Sequence, residues 1–177
     1  LNAEAKELEA RGVDLIQFDE PAFNVFMDEV NEWGIVALER AAAGLKCETA
    51  VHICYGYGIK ANLDWKATLG SEWRQYEGIF PAINQSRIQQ VSLECANSRV
   101  PASLMGLLSD KVVMVGVIEV ASNRIETPEE VAATIARALE FVDADRLSPC
   151  SNCGMAPLPR DVAVGKLRGI GGGGGMA

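Results

Sequence analysis

Thr49-Ala-Val-His-Ile-Cys-Tyr-Gly56 is the most informative part of the sequence, because its pattern indicates a buried β-strand that ends in two side chains able to bind a metal. Residues i and i+2 of a strand point to the same face, so His52 and Cys54 are presented side by side. His52 is the only histidine among 177 residues. A lone histidine on an apolar strand is also typical of a hydrogen-bonded structural residue, and this stretch alone leaves both interpretations open.

Two later segments favour a metal site. Gln89-Gln-Val-Ser-Leu-Glu94 is another apolar strand that ends in a carboxylate, and Ser151-Asn-Cys-Gly154 places Cys153 just after a third strand. One imidazole, two thiolates and one carboxylate are a donor set that suits tetrahedral zinc. The sequence therefore predicts that His52, Cys54, Glu94 and Cys153 meet at one edge of a sheet.

Composition and charge limit the class of protein. The chain is 49% hydrophobic and 23% charged, and it is long enough for one domain with a buried core. Its formal net charge of −8 argues against nucleic acid and anionic membrane surfaces as partners, because both require clustered Lys and Arg. Five cysteines without compact spacing indicate a reducing, cytoplasmic setting and not a disulfide framework.

Strand and helix patterns alternate five times, with strands starting near residues 13, 48, 88, 112 and 145. This alternation predicts an α/β protein with a parallel sheet. The polar candidates all follow strand ends, which is the site geometry of a (β/α)8 TIM barrel of about 250 residues. We therefore expect residues 1–168 to form about the last five βα units of such a barrel, and residues 169–177 to form a flexible Gly-rich tail.

The segment 55–81 is irregular and carries all three tyrosines and two of the three tryptophans of the chain. One interpretation is a helix-containing connection whose aromatic side chains pack on the domain. The other is a lid or substrate-facing loop, because loops after the strand ends of such folds carry function.

Four motifs together resemble the cobalamin-independent methionine synthase family, in particular its C-terminal catalytic barrel and its short, core-type homologues. The resemblance runs in the family's order from about residue 10 to residue 168. Its motifs are Ile16-Gln-Phe-Asp-Glu-Pro-Ala22, Val51-His-Ile-Cys-Tyr55, Ser92-Leu-Glu94 and Asn152-Cys-Gly154.

The resemblance implies a zinc-dependent methyltransferase that makes methionine from homocysteine. It implies one zinc ion per chain, held by His52, Cys54, Glu94 and Cys153, and a catalytic Asp19 that binds the amino group of homocysteine. The methyl donor would be methyltetrahydrofolate or a methylcobalamin-type compound. Two alternatives stay open: alkyl transfer to another, coenzyme-M-like thiol, and a truncated barrel fragment that binds zinc without turnover.

Further candidates follow from position in the chain. Glu20 is a second candidate for substrate binding, and Glu119 and Tyr55 are candidates for the site wall. Cys150 forms a C-x-x-C pair with Cys153, which is also compatible with a redox pair or half of a zinc knuckle. Five βα units leave two open sheet edges, so we expect either a longer parent protein or a second chain that covers the barrel edge.

Overall fold

A five-stranded, all-parallel sheet is the centre of the structure, a computed structural model that describes residues 1–57 and 60–175. The strands follow one another in chain order from edge to edge. They are β1 (Leu15–Asp19), β2 (Glu48–Ile53), β3 (Gln90–Glu94), β4 (Val112–Ile118) and β5 (Leu147–Ser151). This confirms the predicted five βα units of a partial TIM barrel.

Helices connect the strands and cover one face of the sheet. They are α1 (Asn2–Ala10), α2 (Met27–Glu29), α3 (Ile35–Ala41), α4 (Lys60–Thr68), α5 (Gln75–Gln85), α6 (Pro128–Leu139) and α7 (Arg160–Gly174). The predicted capping box is present at the start of α6, where Thr127 and Glu130 cap each other's backbone amides. Within the described part of the chain, no helix is long and apolar enough to cross a membrane.

The two faces of the sheet differ in chemistry because of the strand register. Phe18 is paired with Val51, and Val51 with Val91, so these apolar side chains share the face that packs on the helices. Asp19 is paired with His52, and His52 with Ser92, so the polar side chains share the opposite, inner face. In a barrel that inner face encloses the site, and its carboxyl-terminal edge carries the chemistry.

The helical segment between β1 and β2 is not one regular helix. A π-helical turn, Val30–Gly34, separates α2 from α3 and changes the angular spacing of the side chains. Phe23 and Val30 are buried as their spacing suggests, whereas Phe26 and Trp33 are 54% and 59% exposed. The apolar periodicity alone could not reveal this extra residue per turn.

The final helix also differs from the prediction, because α7 continues to Gly174 and does not end near Arg168. A Cβ atom on Gly173 would lie 2.5 Å from the Cβ of Val131, so glycine permits the close approach of α7 to α6. Of the predicted tail, Met176 and Ala177 lie outside the described residues.

Candidate metal and substrate site

Three potential metal ligands meet at the carboxyl-terminal edge of the sheet. The ligand atoms of His52, Cys54 and Cys153 all lie within 4.8 Å of one another. His52 is the second-last residue of β2, Cys54 directly follows β2, and Cys153 follows β5 after a short turn. Residues far apart in sequence thus form one cluster because parallel strands bring their carboxyl ends to the same edge.

The imidazole of His52 is held in one orientation by β3. Its Nδ1 lies 2.9 Å from the Oγ of Ser92, its partner across the strands. Its Nε2 is buried and has no hydrogen-bond partner among the described residues. A buried polar atom without a partner is costly. When Nδ1 carries the proton and donates to Ser92, Nε2 presents its lone pair to the cluster, which is the arrangement of a metal-ligating histidine.

The two thiols fit the same metal. The Sγ atoms of Cys54 and Cys153 are 3.9 Å apart, too far for a disulfide and close to the roughly 3.8 Å expected for two sulfurs bound tetrahedrally at about 2.3 Å from zinc. The neighbouring Cys54 thiol, followed by the nearby His52 imidazole, lowers the pKa of Cys153. The neighbouring Cys153 sulfur, followed by burial, raises the pKa of Cys54. Of the two thiols, Cys153 is therefore the more easily ionised.

Glu94 lies beside this cluster but is not part of the group within 4.8 Å in the described residues. Its Oε2 accepts a hydrogen bond of 3.1 Å from the Tyr55 amide, and its Oε1 lies 3.6 Å from the Nζ of Lys66. Burial raises the pKa of the Glu94 carboxyl, while Lys66 acts in the opposite direction. The structure thus brings together three of the four predicted ligands and places the fourth in an adjacent ion pair.

Asn152 joins the strand ends that carry the ligands. It is fully buried, its Oδ1 accepts from the amides of Cys95 and Ala96, and its Nδ2 donates to the Ala96 carbonyl and to the hydroxyl of Tyr57. Every polar group of this amide is therefore used. Asn152 fixes the turn after β5, and with it the position of Cys153, relative to the turn after β3.

Asp19 opens onto the same cleft as the metal cluster. A cleft of about 210 Å³ is lined by Gln17, Asp19, His52, Ser92, Met114, Cys150, Ser151, Cys153 and Gly154. The Nε2 of Gln17 donates to the Oδ1 of Asp19 over 2.9 Å, which orients the carboxylate. Asp19 is exposed, so its charge is available to a cationic ligand.

Glu20 faces a different cleft. That cavity of about 390 Å³ is lined largely by apolar side chains, among them Phe23, Phe26 and Trp33. Burial, followed by repulsion from Asp19, raises the pKa of the Glu20 carboxyl. Its backbone amide donates to the His52 carbonyl over 2.9 Å, which ties the end of β1 to β2.

The other candidates have defined neighbours. The ring of Tyr55 packs on Trp65, Trp73 and Tyr76, while its amide contacts Glu94. Glu119 accepts a hydrogen bond of 2.8 Å from the side chain of Asn97.

The C-x-x-C motif does not form a pair in this structure. Cys153 faces Cys54, whereas the Sγ of Cys150 lies 3.7 Å from the Oγ of Ser92. Burial raises the pKa of Cys150 to about 11, so it stays a thiol at neutral pH. These contacts give no support to the redox or zinc-knuckle interpretation of this motif.

Sequence analysis missed four residues that contact the ligands or position them. Ser92 could have been found from its spacing, because it lies two residues before Glu94 and shares its face of β3. Asn152, Tyr57 and Lys66 lie in a turn, a loop and a helix, and no sequence pattern specifies which way those side chains point.

The fold and the site define a class of protein, part of a (β/α)8 barrel with one imidazole and two thiols that could hold a metal ion at the carboxyl ends of its strands. The family model for the cobalamin-independent synthase catalytic domain matches residues 1–171. The chain belongs to this family.

Curated relatives agree with this assignment. The methionine synthase of Sulfurisphaera tokodaii is 30% identical over 167 residues, which cover 94% of this chain and 44% of that protein. A methionine synthase of Saccharolobus islandicus is 31% identical over 169 residues, with 94% and 45% covered. The chain therefore spans a little less than half the length of these curated relatives.

Solved structures give the same result. A B12-independent methionine synthase from Shewanella sp. W3-18-1, in complex with selenomethionine, is 66% identical with a TM-score of 0.95, covering 99% of this chain and 51% of that one. A methyltransferase from Methanosarcina mazei has a TM-score of 0.63 at 16% identity, covering 96% of this chain and 45% of that one, and supports the fold alone.

Proposed function

We propose that this chain carries the metal half of an enzyme that transfers a methyl group to the sulfur of homocysteine to form methionine. The observation that carries the proposal is the cluster of His52, Cys54 and Cys153, whose ligand atoms lie within 4.8 Å of one another, together with the buried Nε2 of His52, which has no partner in the described part of the chain. Membership of the cobalamin-independent synthase family supports it. So does the name of the Shewanella relative, a methionine synthase in complex with selenomethionine.

We assign one zinc ion to His52, Cys54 and Cys153, with Glu94 as the fourth ligand. When bound, zinc would hold the acceptor thiol as a thiolate at neutral pH, where a free thiol with a pKa near 8.5 is mostly protonated. Two thiolates and one carboxylate carry three negative charges, which exceed the two positive charges of the zinc ion. Such an electron-rich zinc activates bound water poorly but leaves a bound thiolate nucleophilic, so the site favours alkylation of sulfur. Glu94 is the one oxygen donor of the set, and it is the ligand that can yield its place to a thiol.

Asp19 is the proposed anchor for the substrate's ammonium group. It lies in the same cleft as His52 and Cys153, and Gln17 orients its carboxylate. A homocysteine held by its ammonium group at Asp19 would extend its short side chain toward the metal cluster. With its ammonium group and its sulfur both held in place, the substrate can be oriented for reaction with the methyl donor.

Metal analysis of purified variants tests this function. We expect one zinc per chain in the unmodified protein and loss of zinc in both His52→Ala and Cys153→Ser. Cys47→Ser is the matched control, because Cys47 lies outside the ligand cluster and should leave the zinc content unchanged. Metal-free protein with a disulfide between Cys150 and Cys153 would contradict the proposal.

The substrate is tested separately. L-homocysteine should bind the zinc-loaded protein with a change of X-ray absorption at the zinc edge, and Asp19→Asn should weaken this binding without removing zinc. Assays with several methyl donors should then show which donor the complete enzyme uses. An unchanged zinc edge at saturating homocysteine would count against this acceptor and in favour of another thiol.

A further inference from the structure

Lys66 is a buried cation next to a proposed metal ligand, although lysine side chains are normally exposed to solvent. It lies in the last turn of α4, and its side chain is only 10% exposed. Its Nζ is 3.6 Å from the Oε1 of Glu94, whose side chain is 4% exposed. Lysine is rarely buried to this extent unless it is paired, so the ion pair accounts for its burial.

Aromatic rings complete the surroundings of Lys66. Its Nζ lies 4.3 Å from the ring centroid of Tyr57 and 5.4 Å from that of Trp73. These cation–π contacts stabilise an ammonium group away from water. Tyr57 is itself fixed, because its hydroxyl accepts a hydrogen bond of 3.0 Å from Asn152, the residue before Cys153.

The segment that carries Lys66 is attached closely to the end of β2. Gly56 has a φ of +76°, a conformation that L side chains rarely adopt. A Cβ atom there would lie 2.0 Å from the Nδ2 of Asn62 in α4. Gly56 therefore lets α4 fold back over the strand end and bring Lys66 to Glu94.

We propose that Lys66 is a positioning residue that holds Glu94 in a second place, off the metal. In that place the carboxylate has two partners, the Lys66 ammonium and the Tyr55 amide. Glu94 can then leave the metal for an incoming thiol without becoming a buried, unpaired charge, which would be strongly unfavourable. The inference rests on the proposed zinc site and explains how this chain makes ligand exchange reversible.

The proposal fixes the sign of a measurable effect. Lys66 competes with the metal for Glu94 and also repels the metal, so its removal should tighten zinc binding. A lysine with a merely structural role would give the opposite result, because a loosened site binds zinc less well. At an effective dielectric constant near 20, loss of the unit charge that holds the Glu94 carboxylate at 3.6 Å corresponds to tightening of zinc binding by about tenfold or more.

The experiment measures the zinc dissociation constant of the full chain by competition with a chromophoric chelator. We expect Lys66→Met to bind zinc at least about tenfold more tightly and L-homocysteine about tenfold more weakly than the unmodified protein. Lys60→Met is the matched control, because Lys60 lies in the same helix, is 85% exposed and pairs with Asp64 on the surface. It should change neither constant.

Two further variants keep the test decisive. Lys66→Arg keeps the charge and should restore zinc affinity close to that of the unmodified protein. In a Glu94→Gln background, Lys66→Met should tighten zinc binding less, because no carboxylate remains to be released. If Lys66→Met does not fold, as judged by circular dichroism, Lys66→Gln serves for the same comparison.

The outcomes separate this inference from the proposed function. Zinc affinity that is unchanged or weaker in a folded Lys66→Met or Lys66→Gln protein overturns the role of Lys66, while zinc binding by the unmodified protein still supports the proposed zinc site. Failure of the unmodified protein to bind zinc overturns both. Tighter zinc together with weaker homocysteine supports the inference.

Discussion

At the scale of single residues, the metal site depends on groups that are not ligands. His52 can offer Nε2 to a metal only if Nδ1 keeps its proton, and the contact of 2.9 Å with Ser92 favours that tautomer. Sequence spacing pointed to His52, Cys54 and Cys153, which the structure brings together, because metal ligands have few chemical types. It could not locate Lys66, since a lysine in a polar helix is normally exposed and only the fold of the 55–81 segment buries it.

Replacing Ser92 by alanine tests the orientation of His52. We expect the zinc dissociation constant to rise about 10–100-fold, because the imidazole loses the partner that fixes its tautomer and ring angle. Ser86→Ala is the control, because Ser86 is also buried but its hydroxyl bonds the Ile83 carbonyl and the Ile88 amide, and it is not part of the ligand cluster. Equal zinc affinities of the two variants, measured by chelator competition, would show that Ser92 has no such role.

At the scale of elements, the turn after β5 is locked onto the strands beside it. A Cβ atom on Gly116 would lie 2.3 Å from the Oδ1 of Asn152 and 2.6 Å from the Leu93 carbonyl. Glycine in β4 therefore creates the space in which Asn152 makes its four hydrogen bonds. Gly116 in β4 thus affects the position of Cys153 through Asn152. The sequence could not reveal this contact, because it shows only a glycine among valines.

Gly116→Ala should therefore damage both the fold and the site. We expect a loss of about 1–3 kcal/mol in the free energy of unfolding from overpacking, together with weaker zinc binding as Asn152 shifts. Gly171→Ala makes the same substitution in α7, where a Cβ meets nothing within 4 Å, and should be neutral or stabilise by up to about 1 kcal/mol. Urea unfolding monitored by tryptophan fluorescence compares the two, and a stable Gly116→Ala protein would refute the packing argument.

The attachment of α7 depends on a buried ion pair. Lys166 is fully buried, and its Nζ lies 2.9 Å from the Oε2 of Glu126, whose Oε1 accepts from the Glu119 amide over 3.0 Å. Lys166 also donates to the Arg124 carbonyl. The pair thus joins α7 to the loop after β4.

Removing one partner of this pair should be more harmful than removing both. Lys166→Met leaves the Glu126 carboxylate buried and unpaired, which typically costs about 3–5 kcal/mol. Adding Glu126→Gln should recover part of the loss, since a neutral amide oxygen can still accept from Glu119. Arg11→Met, which breaks an exposed pair with Glu7, should change the free energy of unfolding by about 1 kcal/mol or less. Additive losses in the double variant would contradict the coupling.

At the scale of the whole molecule, the sequence predicted the barrel well because parallel strands follow regular rules. Alternating elements fix strand order, and strand ends fix where polar side chains meet. The predicted strand over residues 145–148 lies at Leu147–Ser151 instead, since a short 3₁₀ turn, Ala144–Arg146, occupies its start. The π-helical turn and the glycine-rich end of α7 were missed because both depend on contacts between elements.

The sheet of these 177 residues has open edges at β1 and β5. Parallel sheets are normally covered on both faces, and open edges favour association. On the inner face, Gln17 and Asp19 are exposed although they line the cleft of the proposed site. We therefore expect the remaining wall of that cleft to come from a longer parent protein or from a second chain.

Produced by themselves, these residues should therefore bind zinc, because His52, Cys54, Glu94 and Cys153 all lie within them. We expect the isolated polypeptide to self-associate through its sheet edges and to show little or no methyl transfer, since the methyl donor needs the opposite wall of the barrel. Light scattering, zinc analysis and the transfer assay on the same preparation test this, with the complete barrel as the positive control. A monomer of 19.0 kDa with full turnover would show that five βα units suffice, and that the barrel does not supply the donor site.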